Sequence, residues 1–208
     1  MPKNVLLLGF GPFLSYTCNP SGNIAKKLNG KIIKGFKIIG MVLPVEHITA
    51  STLAEKYIAE THPSLILGVG LSATRGSVSI ERVALNRFYF ASEDKIIDKP
   101  LSKNGEAAYF STLPVDSIKS RIEEAGIPSE YSFWPDTFVS NELFYTIMKT
   151  AHEMKIKYAG FMHLPLTHKQ VIEKKGVHYG IKANIPSLAE KEELRAVRVA
   201  LEVCIEKL

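Results

Sequence analysis

Three polar residues in this chain are of the types that acyl-transfer chemistry needs, and they occur in the order acid, hydroxyl, histidine. They are Glu81, Ser140 and His163. A serine hydroxyl needs a neighbouring base to take its proton, and the imidazole needs a third group that fixes its tautomer. Spacing alone does not establish such a triad, because the chain has 6 histidines and 21 acidic residues. The same residues also fit a helix-start serine and a core histidine without any chemistry.

The stretch around Ser140 predicts a turn that leads directly into a helix. Pro135 is excluded from helix interiors and central strands, and Asp136 and Thr137 are favourable N-cap residues. The apolar residues that follow have helical spacing, at positions 138, 139, 143, 144, 147 and 148. Ser140 then lies in the first turn, where unpaired N–H groups and the helix dipole favour an anion. A hydroxyl at this place can act as a nucleophile beside an oxyanion site.

His163 and Glu81 are each predicted on a strand. His163 closes the short apolar segment 159–165, where the carboxyl end of a parallel strand would meet a crevice. Glu81 lies in the alternating segment 78–86. Four other histidines lie in predicted helices or loops and are interpreted as surface residues: His47, His62, His152 and His178.

The wider pattern alternates apolar strands with amphipathic helices. Further strands are predicted at 4–10, 36–43 and 65–70. Helices are predicted from 19–21 to 29–30 and over 45–60, 115–125 and 187–208, and residues 88–104 form a hairpin or loop over the sheet edge. This order predicts an α/β fold, with one domain over residues 1–208 and three α/β/α layers around a mostly parallel, twisted sheet.

Composition argues against several classes of protein. The net charge is 26 − 21 = +5, but the basic residues are scattered, which argues against nucleic-acid binding. The apolar runs are too short to span a bilayer, and the chain enters its first strand without room for a signal peptide. Two cysteines, Cys18 and Cys204, are typical of a reducing cytoplasm, and their pairing stays open. No metal-ligand spacing or phosphate loop occurs, and Gly68-Val69-Gly70 lacks the third glycine of a dinucleotide site, so no cofactor is predicted.

Several ordered blocks of residues resemble the pyroglutamyl peptidase I family, also called pyrrolidone-carboxylate peptidases. The resemblance covers roughly residues 5–206. The blocks are Gly9-Phe10-Gly11-Pro12-Phe13, Asn19-Pro20-Ser21, Val42-Leu43-Pro44-Val45, Ile80-Glu81-Arg82-Val83-Ala84-Leu85-Asn86, Ala108-Tyr109-Phe110-Ser111-Thr112-Leu113-Pro114 and Gly160-Phe161-Met162-His163-Leu164-Pro165.

The resemblance implies a peptidase that removes N-terminal pyroglutamate from peptides with a Cys-His-Glu triad and no metal. It implies Glu81 as the acid and His163 as the base, and it places Ser140 where the family has its cysteine. It also implies a cytoplasmic homo-oligomer, a dimer or a tetramer. The expected substrate-binding residues, which would form an apolar slot for the lactam ring beside a retained arginine, are Phe10, Phe13, Leu71, Arg75, Phe138 and Val139.

Most departures from the family cluster just before Ser140. Trp134-Pro135-Asp136 replaces a Ser-Ala-Gly of the family, and Thr74 replaces the glycine before the retained arginine. These changes favour natural divergence over a single laboratory substitution. If the Asp136 carboxylate lay about 6 Å from a developing oxyanion, repulsion between the two charges would cost roughly 2.8 kcal/mol at an effective dielectric of about 20. A ring of Trp134 in the slot would remove the basis for lactam binding.

Three readings therefore stay open. The first is a homologue with little or no peptidase activity, because an alcohol cannot rest as an anion in the way that a thiol can. The second is a hydrolase that uses serine. The third is a binding protein that keeps the lactam pocket without chemistry.

Overall fold

The computed structural model describes residues 3–13, 16–92, 94–172 and 185–208. In these ranges the strands, numbered in chain order, are β1 (Asn4–Phe10), β2 (Ile32–Ile33), β3 (Phe36–Leu43), β4 (Leu65–Leu71), β5 (Val78–Glu81), β6 (Val83–Leu85), β7 (Phe88–Ala91), β8 (Ile96–Lys99), β9 (Ala108–Phe110), β10 (Ser129–Ser132), β11 (Tyr158–Leu164), β12 (Leu166–Thr167) and β13 (Ser187–Leu188). The helices are α1 (Pro20–Leu28), α2 (Thr49–Thr61), α3 (Val115–Glu124), α4 (Val139–Met154), α5 (His168–Ile172) and α6 (Glu190–Glu206).

Seven strands form the central sheet, in the order β10-β5-β11-β4-β1-β3-β2. The four central strands β11, β4, β1 and β3 are parallel to one another. β5 runs antiparallel to β11, and β10 is parallel to β5, so one side of the sheet is reversed. This mostly parallel sheet confirms the predicted fold class.

Alternating side chains of β1 show why the sheet needs helices on both faces. Val5 and Leu7 belong to a buried cluster with residues of α1, α3 and α6. Leu6 and Leu8 belong to a second cluster with residues of α2 and α4. A strand that is apolar on both faces is stable only when both faces are covered, which gives three α/β/α layers.

The first strand and helix approach each other closely at a glycine. A Cβ on Gly9 would lie 2.3 Å from the carbonyl oxygen of Ser21, so no other residue fits there without a shift of the backbone. The Ser21 hydroxyl accepts a hydrogen bond of 3.0 Å from the Phe10 N–H, and Asn19 caps α1 by accepting from the Ser21 N–H. Packing of α1 on β1 thus accounts for two of the blocks quoted above.

Several predicted boundaries are wrong. The predicted strand 78–86 breaks at Arg82, because β5 joins the main sheet whereas β6 pairs with β9. The predicted helix 45–60 begins only at Thr49, and the closing helix begins at Glu190 rather than at 187. β10 was not predicted. The excursion 88–104 does contain a hairpin, formed by β7 and β8.

Neither Cys18 nor Cys204 forms a disulfide, and Cys204 is buried in the core. Burial raises the pKa of the Cys204 thiol to about 12. Among the described residues, no helix is both long and apolar enough to cross a bilayer.

Candidate active site

A buried carboxylate and an imidazole meet beneath one end of the sheet. Nδ1 of His163 lies 2.7 Å from Oε1 of Glu81, and the two side chains are 3% and 0% exposed. Nη1 of Arg75 donates to the same oxygen at 2.6 Å. Because a carboxylate only accepts, Nδ1 carries the proton and Nε2 remains available as a base.

The paired strands account for this arrangement. Glu81 ends β5 directly opposite Phe161 of β11, so its side chain points to the same face as His163 two residues further along. His163 lies opposite Gly70 of β4, where a Cβ would come within 3.1 Å of the imidazole Cδ2. A Cβ on Gly68 would lie 2.4 Å from the ring of Phe161. The two glycines therefore make room for these two rings. Their role is in packing and not in a dinucleotide-binding loop.

The charge state of Glu81 follows from its neighbours. Burial would raise the pKa of this carboxyl, but the hydrogen bond and charge of His163, together with its other polar neighbours, lower the pKa below the ordinary value. Oε2 makes no hydrogen bond in the described part of the chain, yet the nearby Ser132 hydroxyl and the Arg75 charge still favour the ionised form. Glu81 is thus a permanent anion that orients and stabilises the imidazole.

Ser140 is carried toward the same end of the sheet. Only residues 155–157 join α4 to β11, so the two elements run antiparallel, and the rings of Phe144 and Phe161 lie 5.7 Å apart. Ser140 lies about 6 Å before Phe144 along the helix, and His163 lies about 6.6 Å beyond Phe161 along the strand. Both displacements point toward the carboxyl end of β11. The half-buried Ser140 therefore lies at the same height as His163 along the direction of β11. Direct contact between the two side chains stays a prediction.

Asn141 holds the first turn of α4 in place. Its side-chain amide accepts from the Leu85 N–H at 2.8 Å and donates to the carbonyl oxygens of Leu85 and Arg87, each at 2.9 Å. The residue is fully buried. Sequence reasoning missed this residue, because nothing near it in the chain indicates that its partners lie more than 50 residues away.

The turn before α4 has an unusual backbone at Asp136. Its φ is 60°, in the left-handed region that costs an ordinary residue strain and suits glycine, as the replacement of a family glycine indicated. The N-cap is Phe138 rather than Asp136 or Thr137, and the Asp136 carboxylate accepts from the Phe138 N–H at 2.6 Å. Arg75, which binds Glu81, also donates to the carbonyl oxygen of Trp134 at 2.7 Å, so this turn is tied to the buried pair.

The Asp136 carboxylate lies within electrostatic reach of the buried pair. Although the residue as a whole is exposed, partial desolvation raises the pKa of its carboxyl, and the hydrogen bond from Phe138 opposes this shift. The charges of His163, Glu81 and Arg75 also act on it. A second acidic group therefore lies within electrostatic range of the imidazole.

The comparisons with known proteins come from sequence and from structure. The family model for pyroglutamyl peptidase matches residues 3–207. The chain belongs to the pyroglutamyl peptidase family. A pyrrolidone-carboxylate peptidase of Pyrococcus furiosus is 37% identical over 98% of this chain and 99% of its own, and one of Halalkalibacterium halodurans is 35% identical over 97% and 99%. A mutant pyrrolidone carboxyl peptidase from Pyrococcus furiosus superposes with a TM-score of 0.90 at 36% identity, covering 98% of this chain and 99% of that one.

The residues expected to form the lactam slot of this member of the pyroglutamyl peptidase family differ in burial and in packing partners. Phe10 and Val139 are almost fully buried, and Phe138 packs on Phe88 and Phe90 with ring centroids 5.7 and 5.5 Å apart. Phe13 packs on Tyr16. Leu71 ends β4. Their convergence around a ligand stays a prediction.

Trp134 is 60% exposed, so its ring is not packed into an apolar slot. The condition that would have removed the basis for lactam binding, a Trp134 ring in the slot, is therefore not met. Arg75, which was predicted to bind substrate, pairs with the predicted acid Glu81. Its role in substrate binding stays a prediction.

One sequence interpretation about the histidines is wrong. His47 is not a surface residue: its imidazole is 24% exposed, and Nδ1 lies 2.7 Å from a carboxylate oxygen of Glu142. His62 and His152 are exposed as predicted, and His178 lies outside the described residues.

Proposed function

We propose that this chain binds peptides with N-terminal pyroglutamate and that Ser140 stands at the nucleophile position, with peptidase activity weak or lost. The observation that supports this proposal is the buried set formed by Arg75, Glu81 and His163, joined at 2.6 and 2.7 Å. It supplies an oriented base with a free Nε2, which acyl transfer needs. We also propose a cytoplasmic homo-oligomer, a dimer or a tetramer.

In the proposed reaction, the Ser140 oxygen attacks the pyroglutamyl carbonyl carbon while His163 Nε2 takes the hydroxyl proton. The negative charge that develops on the carbonyl oxygen faces the first turn of α4, whose N–H groups have no intrahelical acceptors. The imidazolium then gives its proton to the leaving amine as the amide bond breaks. Water, deprotonated by the same nitrogen, releases pyroglutamate from the serine ester.

Two features argue for slow turnover. A thiol near an imidazole can rest as a thiolate, whereas the Ser140 hydroxyl must lose its proton during attack. The Asp136 carboxylate is held against the backbone of the helix start, where it opposes a second negative charge. The same carboxylate, placed within reach of His163 and Glu81, favours a second candidate function, which is binding of pyroglutamyl peptides or another small lactam without chemistry.

The test combines hydrolysis of a fluorogenic pyroglutamyl arylamide with calorimetric binding of a pyroglutamyl peptide. The variants are the natural chain, Ser140→Cys, and Ser140→Cys combined with Trp134→Ser, Pro135→Ala and Asp136→Gly. We expect binding by all three, weak turnover by Ser140→Cys and clearly higher turnover by the combined variant, because oxyanion donors misplaced by one hydrogen bond cost about 10²–10³ in rate.

The same two assays on the natural chain distinguish the alternative functions. Binding without turnover would establish the binding protein, and rapid turnover by the natural chain would establish a serine hydrolase. No binding and no turnover in any variant would overturn the proposal. Full activity of Ser140→Cys alone would show that the changed turn does not matter.

A further inference from the structure

A second buried carboxylate lies on α4, two residues after Ser140, and the reaction proposed above does not use it. Glu142 is 3% exposed. Its Oε1 accepts from the Ile48 N–H at 2.9 Å and from the Ser51 hydroxyl at 2.8 Å, and its Oε2 lies 2.7 Å from His47 Nδ1. One side chain thus fastens the start of α4 to the connection between β3 and α2.

That connection is bent tightly at the point where Glu142 holds it. Ile48 has φ 68° and ψ −45°, and the Thr49 N–H donates to the His47 carbonyl oxygen at 2.8 Å, which closes a γ-turn. This turn is strained, and a β-branched residue suits it poorly. Strained backbone persists only where its surroundings hold it, and here the Ile48 N–H is held by the Glu142 carboxylate.

The bend places the His47 imidazole flat against an aromatic ring. The His47 and Phe88 ring centroids are 3.8 Å apart, with planes inclined by 23°. Phe88 is fully buried and packs in turn on Phe138 at 5.7 Å. Phe138 is the N-cap of α4, and its carbonyl oxygen accepts from the Glu142 N–H at 3.0 Å. Glu142, His47, Phe88 and Phe138 therefore form a closed ring of contacts.

We propose that Glu142 and His47 are positioning residues that fix the ring of Phe138, and with it the affinity of the pocket for a lactam. This inference rests on the proposed function, because Phe138 matters to a ligand only if that pocket binds one. Neither residue touches the reacting atoms. Their effect reaches the ligand through the stacked rings of His47 and Phe88 and the tilted contact of Phe88 with Phe138.

Four variants separate the stack from the hydrogen bonds. His47→Phe keeps an aromatic ring on Phe88 and loses the bond to Glu142, whereas His47→Ala loses both. Glu142→Ala releases the bend at Ile48. Lys56→Ala is the matched control, an exposed change on α2. His47 also borders an open cavity of about 290 Å³, so its truncation exposes the site to water without opening a void in the core.

The first measurement is the calorimetric Kd for a pyroglutamyl peptide. We expect a rise of about tenfold for His47→Ala, since the loss of an aromatic stack is worth about that factor. We expect a rise in the same direction for Glu142→Ala, because it releases the bend that places His47 on Phe88. For His47→Phe we expect a rise of less than about threefold, and no change for Lys56→Ala. If turnover is measurable, KM should rise while kcat is kept.

The second measurement does not depend on a ligand. A single 4-fluorophenylalanine at position 138 gives one fluorine resonance, which should shift in His47→Ala and Glu142→Ala but not in Lys56→Ala. An unchanged resonance and an unchanged Kd in His47→Ala would overturn the positioning role. Failure of the natural chain to bind pyroglutamyl peptide, with the resonance shifting as expected, would overturn the proposed function and leave the positioning of Phe138 established.

Discussion

Glu193 offers a test in which the pH dependence of stability reports one buried carboxyl. It lies on α6 and is 0% exposed, and neither of its oxygens has a hydrogen-bond partner in the described residues. Burial, with a smaller contribution from the Glu190 charge, raises the pKa of Glu193 from 4.5 to about 9. The folded chain therefore carries a neutral carboxylic acid at pH 7.

The sign and size of the effect follow from proton linkage. The folded state binds this proton more tightly than the unfolded state, so its full contribution to stability is present below pH 4.5 and is lost as the pH rises toward about 9. Each pH unit in that window costs 1.36 kcal/mol of unfolding free energy. From about pH 5 to about pH 8 the loss is therefore about 4 kcal/mol.

Glu193→Gln removes the titration and keeps the shape of the side chain. The measured quantity is the unfolding free energy of this variant minus that of the natural chain. We expect this difference to be about 4 kcal/mol larger at about pH 8 than at about pH 5. Urea unfolding at the two pH values measures this difference. Glu192→Gln is the control, because the Glu192 side chain on the same helix is 28% exposed and pairs with Arg195 at 3.6 Å. A difference that does not vary with pH would show that Glu193 is ionised in the folded chain.

Three further changes test the supports of the candidate site. Arg75→Met removes the cation that binds Glu81, and we expect a loss of about 3 kcal/mol in urea unfolding, because a buried charge loses one partner. Asn141→Ala leaves buried backbone groups unpaired at the start of α4, and we expect a loss of about 2–4 kcal/mol by the same measurement. Asp136→Gly relieves left-handed strain but removes the bond to the Phe138 N–H, so we expect a change of less than about 1 kcal/mol in unfolding and faster turnover when it is combined with a cysteine nucleophile. A loss of several kcal/mol for Asp136→Gly would show that the cap outweighs the strain.

The central strands could be predicted because their information is local. Segments 4–10, 36–43 and 65–70 are almost entirely apolar, which is typical of strands covered on both faces, and the structure has strands there. The reversed direction of β5 and β10 could not be predicted, because it depends on which distant strand each one pairs with. The break at Arg82 has the same cause: Glu81 and Val83 belong to different sheets.

The candidate site was predictable only in part, for a similar reason. Glu81 and His163 stood out because each was predicted on a strand, and the structure joins them across 82 residues of chain. His47 gave no such signal, because its partner Glu142 lies 95 residues away and no periodicity connects them. Gly68 and Gly70 were visible, but their role became clear only from the aromatic and imidazole rings that occupy the space of their missing side chains.

Most of the departures that the resemblance implies lie on the Ser140 side of the candidate site, and the fold explains how they are tolerated. Glu81 and His163, the proposed acid and base, are buried side chains of β5 and β11, so a change there leaves an unpaired charge inside the protein. Ser140, the proposed nucleophile, depends instead on the turn 133–138, where Phe133, Trp134 and Asp136 are exposed. Substitutions in an exposed turn alter the chemistry at Ser140 with little cost to folding. Glu81 and His163 can therefore persist while the surroundings of Ser140 change. A protein changed in this way would have the weak or absent turnover proposed above.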